Sequence, residues 1–237
     1  KERGFPAIAI ADRNGLYGAV MFANACKAEG IQPIIGTLLG VARDSEGKQV
    51  DYLPLYAQDE QGYDNLCHLV SRAHLERPLE FEPHVRLTDL DGRTGGLIAF
   101  SGASEGALTK LLAEGQQSHA EILLQKLQEL FPERLYIELA RRGNDVEERA
   151  EPALVELAYG RDLPLIATNP ANFAEPHMHK AHDAMLCIAG STHIDADERA
   201  KSNPESYVKT YHMMDEAFDD LPEAVQNTLV VAQRCAY

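Results

Sequence analysis

Three imidazoles and a carboxylate fall within seven residues at His177-Met178-His179-Lys180-Ala181-His182-Asp183. On a helix His179 and His182 share a face and could hold one cation between them. His177 and His179 stand two apart, on different faces, and the HExxH spacing of helical zinc sites is absent. The spacing favours a solvated, partly capping segment that begins a helix after Pro176. Asp12-Arg13-Asn14-Gly15 places a carboxylate directly after an apolar run, where it could ligate a metal, act as a general base, or simply cap the next helix. Ser101-Gly102-Ala103-Ser104-Glu105-Gly106 could cradle a phosphate on backbone N–H groups. It lacks the Lys and the spacing of a P-loop, so a turn with an N-cap is the better reading. Arg141-Arg142 could bind an anion, although such pairs are commonly solvated. Gly36-Thr37-Leu38-Leu39 holds nothing that binds a cation or moves a proton. Thr168-Asn169-Pro170-Ala171-Asn172-Phe173 is polar and bent by proline, without a carboxylate or imidazole. A Ser-His-Asp or Cys-His triad cannot be read from spacing, because its members come from distant positions.

These segments sit between elements of alternating type. Apolar, strand-like runs occur at Ala7–Ala11, Ile31–Leu39, Tyr52–Ala57, Leu97–Phe100, Leu135–Leu139 and Leu163–Thr168. Helical spacing marks Leu16–Ala28, Tyr63–Leu75, Ala107–Ala113, Ala120–Leu130 and Val146–Tyr159. From Pro176 onward the chain reads as helices, with an irregular stretch near His193–Tyr211. Repeated strand–helix units predict an α/β fold on a parallel sheet, open or closed into a barrel, with chemistry in the loops after the strands. Lys1-Glu2-Arg3-Gly4-Phe5-Pro6 reads as the last turn of a helix stopped by glycine and proline. A helix and a strand are expected before it, so the chain reads as an N-terminally truncated piece of a longer protein.

Composition narrows the class. The 237 residues are 45% hydrophobic and 25% charged, enough for one large domain or two small ones. Lys plus Arg number 22 and Asp plus Glu 37, a net charge of −15 that argues against a broad nucleic-acid-binding surface. No apolar run approaches the roughly 20 residues of a membrane span, and no secretion signal opens the chain. Cys26, Cys67, Cys187 and Cys235 are scattered, without a CxxC pair, as in a reducing cytosol rather than a disulfide scaffold.

Taken in order, the motifs resemble the PHP (polymerase and histidinol phosphatase) domain of bacterial DNA polymerase III alpha subunits. Ile10-Ala11-Asp12-Arg13-Asn14-Gly15-Leu16-Tyr17-Gly18-Ala19 and Gly30-Ile31-Gln32-Pro33-Ile34-Ile35-Gly36 are similar to its start. Gln61-Gly62-Tyr63-Asp64-Asn65-Leu66, Ser71-Arg72-Ala73-His74-Leu75-Glu76 and Gly96-Leu97-Ile98-Ala99-Phe100-Ser101-Gly102 continue the likeness. So do Phe131–Leu139, Leu163–Asn169, Ala181–Ile188 and Leu221–Thr228. The resemblance covers nearly the whole chain. It implies a distorted seven-stranded (β/α) barrel lacking its first strand, spanning 1–237, with a helical tail over about 176–237 leading toward a polymerase thumb and palm.

Active members of that family hold divalent metals at the strand ends and hydrolyse phosphoesters through metal-bound hydroxide. Here the pattern departs at each visible station. The family's Asp-His pair appears as Asp12-Arg13, its Glu falls at Leu38, its Cys at Ala103 and a His at Arg142, and its Asp-x-His at Pro170 and Asn172. Asp12 alone does not supply a hard cation. Either Arg13 or Arg142 is expected to pair with Asp12 or Glu138 where the metals would sit. The alternative is that both arginines point to solvent and the pocket holds water.

The resemblance therefore implies a catalytically silent domain with no catalytic or metal residues and no cofactor. Its role would be that of a scaffold and docking surface in a replicative polymerase. The parent is expected to be a DNA-directed DNA polymerase, a nucleotidyltransferase using magnesium elsewhere in its chain. Expected partners are the proofreading exonuclease (epsilon) subunit, other replisome subunits and the parent's own thumb and palm. DNA is bound mainly outside this piece, in the cytoplasm and away from membranes. Two alternatives stay open: a metal-dependent PHP phosphoesterase or exonuclease completed by residues before Lys1, and the same domain of an error-prone paralogue.

Overall fold

The computed structural model describes residues 3–43, 47–77 and 80–236. Lys1 and Glu2, part of the expected helix end, lie outside the described residues, and Gly4 adopts φ +81°. Along the chain run β1 (Ala7–Arg13), α1 (Ala19–Glu29), β2 (Gln32–Ala42), β3 (Val50–Ala57), α2 (Glu60–Leu75) and β4 (Val85–Arg86). Then come β5 (Leu97–Phe100), α3 (Ala107–Ala113), α4 (Gln117–Leu130), β6 (Leu135–Leu139), α5 (Asp145–Gly160) and β7 (Leu165–Ala167). Helices α6 (His179–Ala189), α7 (Tyr211–Ala217) and α8 (Pro222–Arg234) complete it, with an irregular strap over 190–210.

The strands form one curled seven-stranded sheet ordered β1-β2-β3-β5-β6-β7, with β4 added beside β2. This is the expected barrel-type architecture, but the sheet is mixed rather than parallel. β3 runs antiparallel to both neighbours, pairing Leu39 with Leu53 and Leu55 with Ala99. The reason is length, since only residues 43–49 separate β2 from β3. A parallel return needs a crossover of a dozen or more residues. The strand expected to end at Leu39 also continues to Ala42, so Gly36, Thr37 and Leu38 lie inside β2, paired with β1 on one side and β3 on the other.

Alternation along each strand sorts side chains into two apolar layers. Leu97, Ala99, Leu135, Ile137, Leu139, Leu165 and Ala167 join the larger core with α2, α3, α4 and α5. The intervening Ile98, Phe100, Tyr136 and Ile166 face the other way and pack with Ile34 against Val231 and Ala232 of α8 and Cys235 just after it. Rings of Tyr56, Phe100 and Tyr136 cross this second face, with centroids 4.8 and 5.9 Å apart. By the same alternation Glu138 and Thr168 belong to the second face, at the C-terminal ends of β6 and β7.

Close backbone approach fixes the start of α2. Asp59 caps it by accepting the Gly62 N–H at 2.8 Å, and a Cβ on Gly62 would stand 1.9 Å from the Gly96 carbonyl oxygen. Gly62→Ala is expected to cost about 1–3 kcal/mol through overpacking. Gly160→Ala, where a Cβ meets nothing within 4 Å, should be neutral or gain up to ~1 kcal/mol. Urea-unfolding midpoints of the two variants check this ordering.

Candidate functional site

The loops at the C-terminal ends of β1, β5, β6 and β7 gather with the start of β3 and the strap into one mouth. At β1, Asp12 accepts the Gly18 N–H through Oδ2 at 3.0 Å, tying down the approach to α1 as a cap does. Its carbonyl oxygen accepts from Thr37 Oγ1 at 2.8 Å. Leu38 lies opposite Arg13 across the β1–β2 pair. Arg13 turns away from Asp12 to pair with Glu105 of the β5–α3 turn, and its guanidinium lies 4.7 Å from the centre of the Tyr52 ring. Asn14 was not singled out from the sequence, yet it is buried at φ +46° and knits three segments. It accepts from the Gly40 N–H and donates to the Pro83 carbonyl, each at 2.7 Å, while its own carbonyl accepts from His74 Nε2 at 2.7 Å.

Ala103 sits in a turn whose tightness accounts for its glycines. At Gly102, with φ +85°, a Cβ would stand 2.6 Å from Gly106 Cα and 2.8 Å from the Tyr52 carbonyl. The Gly106 N–H is spent on the Ala103 carbonyl at 2.9 Å, and Ser101 Oγ accepts the Glu138 N–H at 2.9 Å. The segment is a turn, as expected, but Gly106 starts α3 without a side-chain cap.

Arg141 and Arg142, read as a solvated pair or an anion site, are both engaged inside the protein. Arg141 binds Glu151 and Asp220, each at 2.6 Å, and stacks over Phe218. Arg142 pairs with Glu147 in the first turn of α5 and donates to Ser104 Oγ at 3.1 Å and the Pro170 carbonyl at 3.4 Å. Its own carbonyl accepts from Asn203 of the strap at 3.1 Å. The Arg142 and Glu147 side chains are 12% and 4% exposed.

The expected partners, Asp12 and Glu138, are therefore not the ones used. Asp12 is committed to the α1 approach. Glu138 is buried, accepts from Thr168 Oγ1 at 2.6 Å through Oε1, and leaves Oε2 without a partner. Burial pushes its carboxyl up to about 7, the Thr168 hydroxyl and Arg142 pulling the other way and the Glu147 carboxylate adding to the rise. Pro170 offers only its carbonyl, and exposed Asn172 donates its backbone N–H to the Ser206 carbonyl at 2.8 Å.

The histidine cluster holds the strap. His179 Nε2 donates to the Ser202 carbonyl at 3.0 Å, and His182 Nδ1 bonds Ser202 Oγ at 2.7 Å. Both rings lie against Phe173, with centroids 6.0 and 5.5 Å away. Asp183 accepts the Ser202 N–H at 2.9 Å and two bonds from Arg199 at 2.7 and 2.8 Å, which hold its carboxyl well below the usual carboxylate range. The two imidazoles share a face, as the spacing indicates, but their common partner is a serine.

Among the described residues no three His, Cys, Asp or Glu side chains come together to hold a metal ion. Asp12 is one carboxylate among Leu38, Ala103, Pro170 and Asn172, with guanidinium groups at Arg13 and Arg142. That set does not fit the divalent cluster the resemblance implies.

A curled β/α sheet with its polar loops collected at the strand C-termini defines a barrel of the PHP type. The family model described as PHP domain matches residues 1–142, and the chain belongs to that family. Among curated relatives, DNA polymerase III subunit alpha of Caulobacter vibrioides is 39% identical over all of this chain and 21% of the relative. Those of Pseudomonas aeruginosa and Escherichia coli K12 are each 34% identical over 98% of this chain and 20% of the relative. The chain thus spans about a fifth of the length of the relatives it matches.

The two arginines predict unequal couplings. At about pH 5, where Glu138 keeps its proton, Glu147→Ala strands a buried guanidinium and should cost about 3–5 kcal/mol. Glu105→Ala, at a pair 55% and 47% exposed, should cost under ~1 kcal/mol. Denaturant unfolding of the two variants checks the order.

Proposed function

We propose that this chain is a catalytically silent PHP domain of a replicative DNA polymerase III alpha subunit, acting as a scaffold and as a docking surface for the proofreading epsilon subunit. The observation that carries the reading is the identity of the residues at the mouth. Where the family's ligands would stand are Arg13, Leu38, Ala103, Arg142, Pro170 and Asn172. The two arginines point at neighbouring carboxylates, an arrangement that gives the mouth an internal ion pair in place of a cation. The relatives named DNA polymerase III subunit alpha, matched over 98–100% of this chain, support the parent assignment. In that reading the parent is a cytoplasmic DNA-directed DNA polymerase that uses magnesium in its own catalytic domain, and this domain has no cofactor.

The docking role draws support from apolar side chains left in solvent. Tyr17, Val20 and Met21 at the start of α1 are 76%, 70% and 81% exposed, and Met185 and Ile188 of α6 are 65% and 79% exposed. Clustered exposed apolar surface of this kind marks contact regions. No helix among the described residues is long and apolar enough to cross a membrane.

Two measurements test the reading. After dialysis against zinc and manganese, elemental analysis should find no stoichiometric metal, whereas one tightly held equivalent would revive the phosphoesterase alternative. The chain should also bind primed template DNA only weakly. At a net charge of −15, repulsion outweighs local contacts near 150 mM salt, where the Debye length is about 8 Å. Submicromolar affinity in an anisotropy titration would overturn that expectation.

A further inference from the structure

Among the described residues four buried side-chain polar atoms lack partners, Glu138 Oε2, Arg142 Nε, Asn169 Oδ1 and Ser206 Oγ, and the first two belong to oppositely charged groups. Their side chains are within electrostatic reach, since Arg142 lowers the Glu138 carboxyl's affinity for its proton, yet they form no ion pair. Arg142 is turned to Glu147 instead. Two carboxylates thus compete for one guanidinium, and a proton on Glu138 decides which of them needs it. Glu138 is 4% exposed, so its ionised form cannot be satisfied by bulk water.

We propose that Arg142 is a two-position latch. It holds Glu147 while Glu138 carries a proton, and it closes its Nε–H onto Glu138 Oε2 when that proton passes to solvent. The surroundings leave Glu138 no comparable alternative. Just after β7 the Thr168 hydroxyl bonds its Oε1, and the Ala103 N–H of the β5–α3 turn favours its ionised form. From α5 come Glu147 and Glu151, which line a cavity of about 10 Å³ together with Glu138 and Thr109. Tyr56 of β3 contributes a phenol that burial keeps protonated. Among these neighbours Arg142 is the cation.

The exchange would reach beyond the two side chains. Through its guanidinium Arg142 holds Ser104 Oγ of the β5–α3 turn and the Pro170 carbonyl after β7, and through its carbonyl it holds Asn203 of the strap. Moving the guanidinium from α5 toward β6 changes the anchoring of these loops together. Burial lifts the Glu138 carboxyl to about 7, so the change of partner falls near neutral pH. Above that range the ionised form dominates and the latch sits on Glu138. Below it, the latch sits on Glu147.

Carbon-13 and nitrogen-15 NMR of the whole chain, followed from pH 5.5 to 8.5, tests this. The Glu138 carboxyl carbon should titrate near pH 7, and the Arg142 Nε–H resonance should shift downfield with the same midpoint, as should the Asn203 side-chain amide. In Glu138→Gln the Arg142 and Asn203 signals should not move over that range. In Glu147→Gln the Glu138 midpoint should fall by about one pH unit or more, because the competing carboxylate is gone. A Glu138 titration that leaves the wild-type Arg142 signal still would overturn the proposal without requiring any variant to fold. So would an Arg142 shift that persists unchanged in Glu138→Gln.

Discussion

A guanidinium taken out of water must meet a carboxylate, and at the mouth of this sheet that requirement organises four segments at once. Arg142 is sequestered with Glu147. Its remaining donors and its carbonyl bring the β5–α3 turn, the loop after β7 and the strap to the end of β6. The same constraint appears beside it at the start of β3. There buried Asp51 is met by Arg43 at 2.6 Å and Lys110 at 2.7 Å. Arg142 and Asp51 are thus each answered by neighbours from other elements. The loops of the mouth are consequently fixed by ion pairs and hydrogen bonds rather than by their own sequence.

Much of the fold was legible because strand and helix periods are local properties. The runs at Leu97–Phe100, Ala107–Ala113 and Leu135–Leu139 match β5, α3 and β6 residue for residue. The direction of β3 was not legible, since an apolar run looks the same in either orientation and only the length of the preceding link distinguishes them. The site was read less well. The positions that lack metal-binding side chains follow from the resemblance, but which carboxylates the arginines choose depends on where α5 and the β5–α3 turn arrive in space. Glu147 had no sequence signal beyond its place in the first turn of a helix. Ser202 had none at all. A short polar side chain just after a strand is the one clue that would have raised Asn14 beyond its Asp12 neighbour.

The histidine cluster shows how spacing and chemistry can part. His179 and His182 do share a face, and a metal reading needed that. What meets the face is a backbone carbonyl and a hydroxyl of Ser202, with Phe173 beneath the rings. Those contacts fasten the strap to α6, while Asn203 fastens it to the mouth. α6 therefore fastens the strap while its Met185 and Ile188 stay exposed, joining the proposed docking surface to the mouth through a single helix.

The central claim is that a paired guanidinium stands where a metal would have to enter. Diffraction from crystals of the chain soaked in manganese, recorded at the manganese absorption edge, tests it most directly. The account predicts no anomalous peak at the mouth and Arg142 bonded to a neighbouring glutamate. A peak within coordination distance of Asp12 or Glu138, with Arg142 displaced toward solvent, would contradict it.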